Sequence, residues 1–314
     1  MRLKQPNRLI NLSIALFLVG QTGLSSAVNL TIGSGVALDD SLQQLKQKLS
    51  TNCKSIKVID IKKTTYPLAE SQEQHLLCNQ YSSGEFKFEE AVFVLADNQF
   101  TQMEARGITV EPVAQALGKP MGNYLNMDVF EEGRYWLDKN RSRLKWIRKD
   151  AVHPNLFAWE NGYLHPEVKT PVSFSTKIPS LLDFDSELSK MRRVFKQQCK
   201  QIKEDKIENI SLKNKPKEQI QINCFGYSYA GFDRKFEAVF GDGKLQVIWV
   251  LTAKPEEQRL RELLIADWGK ATLVNEVWEV FDGGKIALRK DKPELLILSD
   301  EMIPHYQEWF NKGQ

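Results

Sequence analysis

The sequence predicts an α+β protein: a tandem duplication of a helix-on-antiparallel-sheet unit, α-β-β-β-β-α-β-β, with one intradomain disulfide per copy. Three observations carry this. Cys53 and Cys78 are spaced as Cys199 and Cys224 are. Glu90-Ala91-Val92-Phe93 follows the first pair, and Glu237-Ala238-Val239-Phe240 follows the second. An apolar stripe at helical spacing precedes each pair.

At 314 residues the chain has room for two cores. Residues 1–27 read as a signal peptide: Arg2, Lys4 and Arg8 precede an apolar run, and Ser25-Ser26-Ala27 supplies small residues for cleavage. The run is too short to span a bilayer, and no transmembrane segment is expected in the mature chain. Without residues 1–27, which hold three basic residues and no acid, the formal charge falls from +3 to zero. A neutral chain gives no reason to expect a nucleic-acid partner. Export places the four cysteines in an oxidising compartment, where disulfides Cys53–Cys78 and Cys199–Cys224 are expected and no metal site or cofactor is.

The first repeat domain is assigned to 28–150, a Pro- and aromatic-rich connecting segment to 151–180, and the second domain to 181–314. The opening stripe is Leu38, Leu42, Leu45, Leu49, Cys53 and Ile56, with Asp39 or Asp40 at the N-cap. It recurs at a constant offset as Phe184, Leu188, Met191, Phe195, Cys199 and Ile202, capped by Asp185 or Ser186. Extended segments follow, Val58 to Ile61 and Ile207 to Leu212, then strands holding Cys78 and Cys224. Asp97-Asn98 and Asp242-Gly243 mark hairpin turns. A second helix runs from Glu111 to Leu117 and from Glu256 to Trp268, each closed by a Gly-Lys pair. Because that pair ends a helix instead of opening one, it is no phosphate loop. The last segments align without gaps as a final strand pair: Val129, Phe130, Gly133, Leu137 and Leu144 match Val280, Phe281, Gly284, Leu288 and Leu295. Between the copies, Phe157, Trp159 and Tyr163 around Glu160-Asn161-Gly162 suggest a small hairpin packed on one domain, with Tyr306, Trp309 and Phe310 packing similarly at the C-terminus.

In outline the unit resembles small bacterial envelope modules of the helix-on-antiparallel-sheet type, such as the outer-membrane assembly lipoprotein and β-lactamase-inhibitor folds. The resemblance concerns fold alone and implies no residue roles.

No serine occupies a Gly-x-Ser-x-Gly elbow, and His75, His153, His165 and His305 show no catalytic spacing. Differences between the copies are more informative. Val247, Trp249 and Leu251 stand where the first copy has Gln102, Glu104 and Arg106, so one strand face has changed from polar to apolar. Either the second copy buries this face against the other domain or its own tail, or it exposes an apolar surface for a partner. Arg141, Arg143 and Lys145 form a basic face where the second copy has Lys292, Glu294 and Leu296. They read as a solvated, charge-guarded strand edge or as a contact for an anionic partner. The expected function is that of a periplasmic or, alternatively, secreted non-enzymatic binding protein of the cell envelope, its partner an envelope protein or an anionic envelope component. The alternatives are an envelope glycan hydrolase with carboxylates in an inter-domain cleft, and an inhibitor or chaperone-like partner of an exported protein.

Overall fold

The computed structural model describes residues 35–165, 174–184, 186–208 and 216–313; the expected signal peptide, Asp185 and much of the stretch Ile207 to Leu212 lie outside them. Each half forms one antiparallel eight-stranded sheet. In the first half α1 (Leu42–Leu49) leads into β1 (Cys53–Ile61), β2 (Glu73–Ser83), β3 (Phe86–Ala96) and β4 (Gln99–Arg106). Then α2 (Val110–Leu117) precedes β5 (Gly122–Tyr124), β6 (Met127–Phe130), β7 (Tyr135–Asp138) and β8 (Arg143–Ile147). The second half repeats this with α3 (Leu188–Gln198), β9 (Gln201–Lys206), β10 (Gln219–Tyr229), β11 (Phe232–Gly241), β12 (Lys244–Leu251), α4 (Glu257–Trp268), β13 (Leu273–Val274), β14 (Trp278–Phe281), β15 (Ile286–Arg289) and β16 (Glu294–Leu298). A last helix, α5 (Ile303–Lys312), closes the described chain.

The sheet order is β1-β2-β3-β4-β8-β7-β6-β5, mirrored in the second half as β13-β14-β15-β16-β12-β11-β10-β9. Two four-stranded meanders therefore join where β4 meets β8 and β12 meets β16. The duplicated fold class is as expected, but four strands follow the second helix where alternation marks only two. The structure adds the three-residue β5, too short for a period-two signal, ahead of the segment holding Val129 and Phe130, and divides the chain after the Gly133 turn into β7 and β8.

Local chemistry sets the boundaries. Asp97 and Asn98 both have positive φ, as do Asp242 and Gly243, so both predicted dipeptides form the type I′ turns whose twist suits a hairpin. Gly118 and Gly269 stop α2 and α4 at positive φ, each returning its N–H to the last helical turn. The first helix is shorter than its stripe. Ser41 caps it in a reciprocal box with Gln44, while Asp40 accepts the Ala37 N–H and pairs with Lys48. In the second half Glu187 holds the N-cap position and Ser186 donates to Asp183.

Cys53 opens β1 and Cys199 is the C-cap of α3; they bond Cys78 on β2 and Cys224 on β10, with Cα separations of 5.4 and 5.5 Å. Each bridge fastens a helix–strand junction to the neighbouring strand. Both sit inside the helix-covered cores, with Leu45, Leu49, Phe93 and Trp146 in one and Met191, Phe195, Phe236 and Leu260 in the other. Non-reducing peptide mapping should find no link between the halves. Replacing either pair by alanine should cost about 3 kcal/mol by loop entropy, read as a lower urea midpoint.

Candidate functional site

Two helices cover one face of each sheet, and the other face needs a second cover. In the second half α5 supplies it. Val247, Trp249, Leu296 and Leu298 pack with Trp278, Tyr306 and Phe310, and Val247 and Trp249 are buried, as is Leu251. The chain's own tail thus accounts for Val247 and Trp249, and since Leu251 is buried as well, the exposed patch expected as one alternative is not present.

In the first half the cover is the chain that follows β8. It is a succession of turns through Leu164, not the hairpin expected from its aromatic residues. Leu156, Phe157 and Leu164 are buried against Val92, Val94, Trp136 and Ile147, with Phe232 and Ala253 of the second half completing the cluster. Trp136 stacks on Phe157 at 3.8 Å between ring centres.

Beneath this strap lies a buried charge cluster. Glu104 on β4 faces Lys145 on β8 in the sheet register, and their charged groups approach to 3.6 Å. Glu104 also accepts the Asn161 N–H at 3.0 Å and contacts His165 Nε2 at 3.0 Å. Lys145 Nζ donates to the Trp159 carbonyl. Arg143 pairs with Glu160 at 2.7 Å and lies 3.4 Å from Asp138. Next to it, His75 binds Glu73 at 2.9 Å through Nε2 and Asn161 Nδ2 at 3.0 Å through Nδ1, a pattern that places the ring proton on Nε2. Glu73 accepts two further backbone N–H groups, from Thr65 and Tyr66.

The predicted basic face is therefore mostly internal. Arg141 is exposed, but Arg143 and Lys145 are buried, because β8 lies between β4 and β7 and is no edge. Sequence reading separated Lys145 from Glu104 since nothing local announces that β4 and β8 pair. The matching pair in the second half is Trp249 opposite Leu296. The same register position thus holds an ion pair in one half and an apolar pair in the other. Of the four histidines, which show no catalytic spacing in the sequence, the structure brings His75 and His165 to this cluster, with Asn161 of the expected Glu160-Asn161-Gly162 hairpin between them.

The electrostatics are those of a closed site. Burial pushes the Glu104 carboxyl up, but Lys145, His165 and the Asn161 N–H outweigh it and hold the group down at about 2. Burial likewise opposes ionisation of Glu73, and its bonds to His75, Thr65 and Tyr66 bring it below the usual carboxylate range. Lys145 is lowered, burial outweighing the attraction of Glu104. Such carboxylates are fixed acceptors, not proton donors. Among the described residues no group of His, Cys, Asp and Glu is arranged to hold a metal ion.

The halves also enclose an open cleft of ≈ 480 Å³, lined by Glu70, Asp97 and Arg148 from one and Lys254, Glu257 and Arg261 from the other. Its charges are largely committed. Asp97 accepts the N–H groups of Glu70, Ser71 and Gln72, Glu257 is flanked by Lys254 and Arg261, and Arg148 binds Asp150 and Asp39. Compared with known proteins, the chain matches no family model, and no curated protein and no solved structure matches it either.

Removing one partner of the buried pair should be costly. Lys145→Met should destabilise by about 3–5 kcal/mol because Glu104 stays buried with its main counter-charge gone. Adding Glu104→Leu should recover part of that loss, and a single variant within error of the parent in urea unfolding would show the cluster to be open to water. Acid should act through the same group. With a folded value of about 2 against 4.5 unperturbed, Glu104 contributes on the order of 3 kcal/mol above the unfolded value. That contribution is lost as pH falls from about 4.5 through 2. Glu104→Gln should flatten the fall in urea midpoint across this window.

Proposed function

We propose that the protein is an exported, non-enzymatic binding protein of the cell envelope, periplasmic in location, with an envelope protein or anionic envelope component as partner. What carries the reading is the commitment of its carboxylates. Glycoside hydrolysis needs two carboxyl groups, one of them held protonated to donate to the leaving group. In the cleft, burial raises Asp97 and Glu257, but their N–H and cationic partners outweigh it and bring both below the usual range. Glu70, which also lines the cleft, is left without a second carboxyl free to work with it. In the cluster under the strap Glu73, Glu104 and Glu160 are all held below the usual carboxylate range by their hydrogen-bond and cationic partners, against the opposing effect of burial. Binding therefore fits better than acid–base catalysis.

Export is supported by the two disulfides and by the signal-like residues 1–27. Among the described residues no helix is long and apolar enough to cross a membrane.

The mature protein should be released by osmotic shock with its N-terminus at or near Val28; Met1 on the exported protein would overturn the export reading. Incubation with peptidoglycan and with envelope polysaccharide should release no reducing ends above the blank. Release that disappears in Glu70→Gln would replace binding by hydrolysis. An envelope pull-down with the mature protein as bait then tests for a partner, and failure to retain any component at low salt would remove the support for binding.

A further inference from the structure

Each sheet carries a core cluster on both faces, which leaves the sheet edges as backbone open to a partner. The four terminal strands differ greatly in length. β5 and β13 have three and two residues, β9 has six and β1 has nine. Short edges offer little to a pairing strand. β1 offers a long one: it pairs with β2 alone, and among the described residues no backbone or side-chain group bonds its outer side.

Charge separates the two longer edges. Lys54, Lys57 and Lys62 are exposed along β1 and its exit, and among the described residues none has an acidic partner. The one acid of the strand, Asp60, accepts from Gln74 Nε2 at 2.6 Å. On β9 and beside it the charges are matched instead: Lys203 pairs with Asp205, Lys206 with Glu218, and Arg192 with Glu204. Lys54 and Lys57 are both exposed, so positive charge runs along the open edge. Ile56, Val58, Ile59 and Ile61 are only partly buried, leaving apolar area for an added strand to cover.

We propose that the outer edge of β1 takes an acidic, extended peptide segment as an additional strand, a deepening that rests on the binding reading above. Main-chain hydrogen bonds would supply sequence-independent affinity, and the lysines would select acidic side chains. A second copy of this chain is the poorer occupant, since pairing β1 with β1 brings lysines against lysines across the new ladder. The same repulsion keeps an open edge from self-association.

The test uses the mature protein and a fluorescein-labelled nine-residue peptide of alternating Glu and Val, with a Lys-and-Val peptide as control. Anisotropy at low salt should show binding of the Glu peptide only, weakened as salt screens the lysines. The variant Lys54→Glu/Lys57→Glu/Lys62→Glu should keep the melting temperature and lose at least tenfold in affinity. Hydrogen exchange should slow at β1 amides when the peptide is present. Binding that survives the triple variant, or that leaves β1 exchange unchanged, overturns the proposal and places acid capture elsewhere, as at the cleft cations. Sedimentation showing a dimer paired through β1 overturns it in favour of a second copy. No binding of the Glu peptide while envelope capture persists defeats the edge alone, whereas loss of both defeats the binding reading as well.

Discussion

The cover on the second face of each sheet has to settle its own backbone hydrogen bonds, and much of the molecule follows from that. A helix satisfies its interior N–H and C=O groups internally, so α5 needs only a matching apolar surface, which Val247, Trp249, Leu296 and Leu298 provide. The strap of the first half is a chain of turns and does this only in part. Its Asn161 N–H is taken by Glu104, and its Leu156, Trp159 and Leu164 carbonyls by Gln102, Lys145 and Arg106. These are the positions where the two copies diverge from polar to apolar. The divergence is a consequence of two kinds of cover, one helical and one irregular, laid over the same sheet.

Burying Glu104 and Lys145 is not an obvious route to stability, because desolvation of two charges offsets most of their attraction. The pair does fasten the strap at two backbone points, Glu104 on the Asn161 N–H and Lys145 on the Trp159 carbonyl. Trp249 and Leu296 can dispense with such pins because a helix of fixed geometry arrives already ordered.

Repetition made much of this legible in advance. Equal cysteine spacing selected the pairing of Cys53 with Cys78 and of Cys199 with Cys224 from three alternatives, and the Asp-Asn and Asp-Gly dipeptides marked their hairpins through the positive φ they tolerate. Helix existence followed from periodicity, but the apolar stripe ran through Cys53 and Ile56 into β1, since the first strand's inward residues continue the helical spacing by coincidence. What local pattern could not show was that β8 returns to β4. Without that pairing, Arg143 and Lys145 stand on a strand of unknown neighbours and look solvated; with it, they meet Glu104. In the sequence Glu104 differs from its counterpart Trp249, but one acid on a strand has no meaning until its opposite residue, Lys145, is known.

The two halves are not beads on a string. A chain of charge, buried Arg234 to buried Glu256 to half-buried Arg259, fastens the start of α4 to β11 and then reaches the other half, where Arg259 donates to the carbonyls of Thr65, Tyr66 and Ala69. Tyr66 is edge-on to Phe232, and Phe232 also lies against Trp159 of the strap. The second half thereby finishes the cover that the first half begins, on the side where an irregular strap leaves a gap and a helix would not. Duplication supplied two equal sheets, and the asymmetry of their covers joined them. In such an arrangement much of each sheet face is spent on internal packing, and the cleft rim and the strand edges are the parts of each unit that its own tail does not reach.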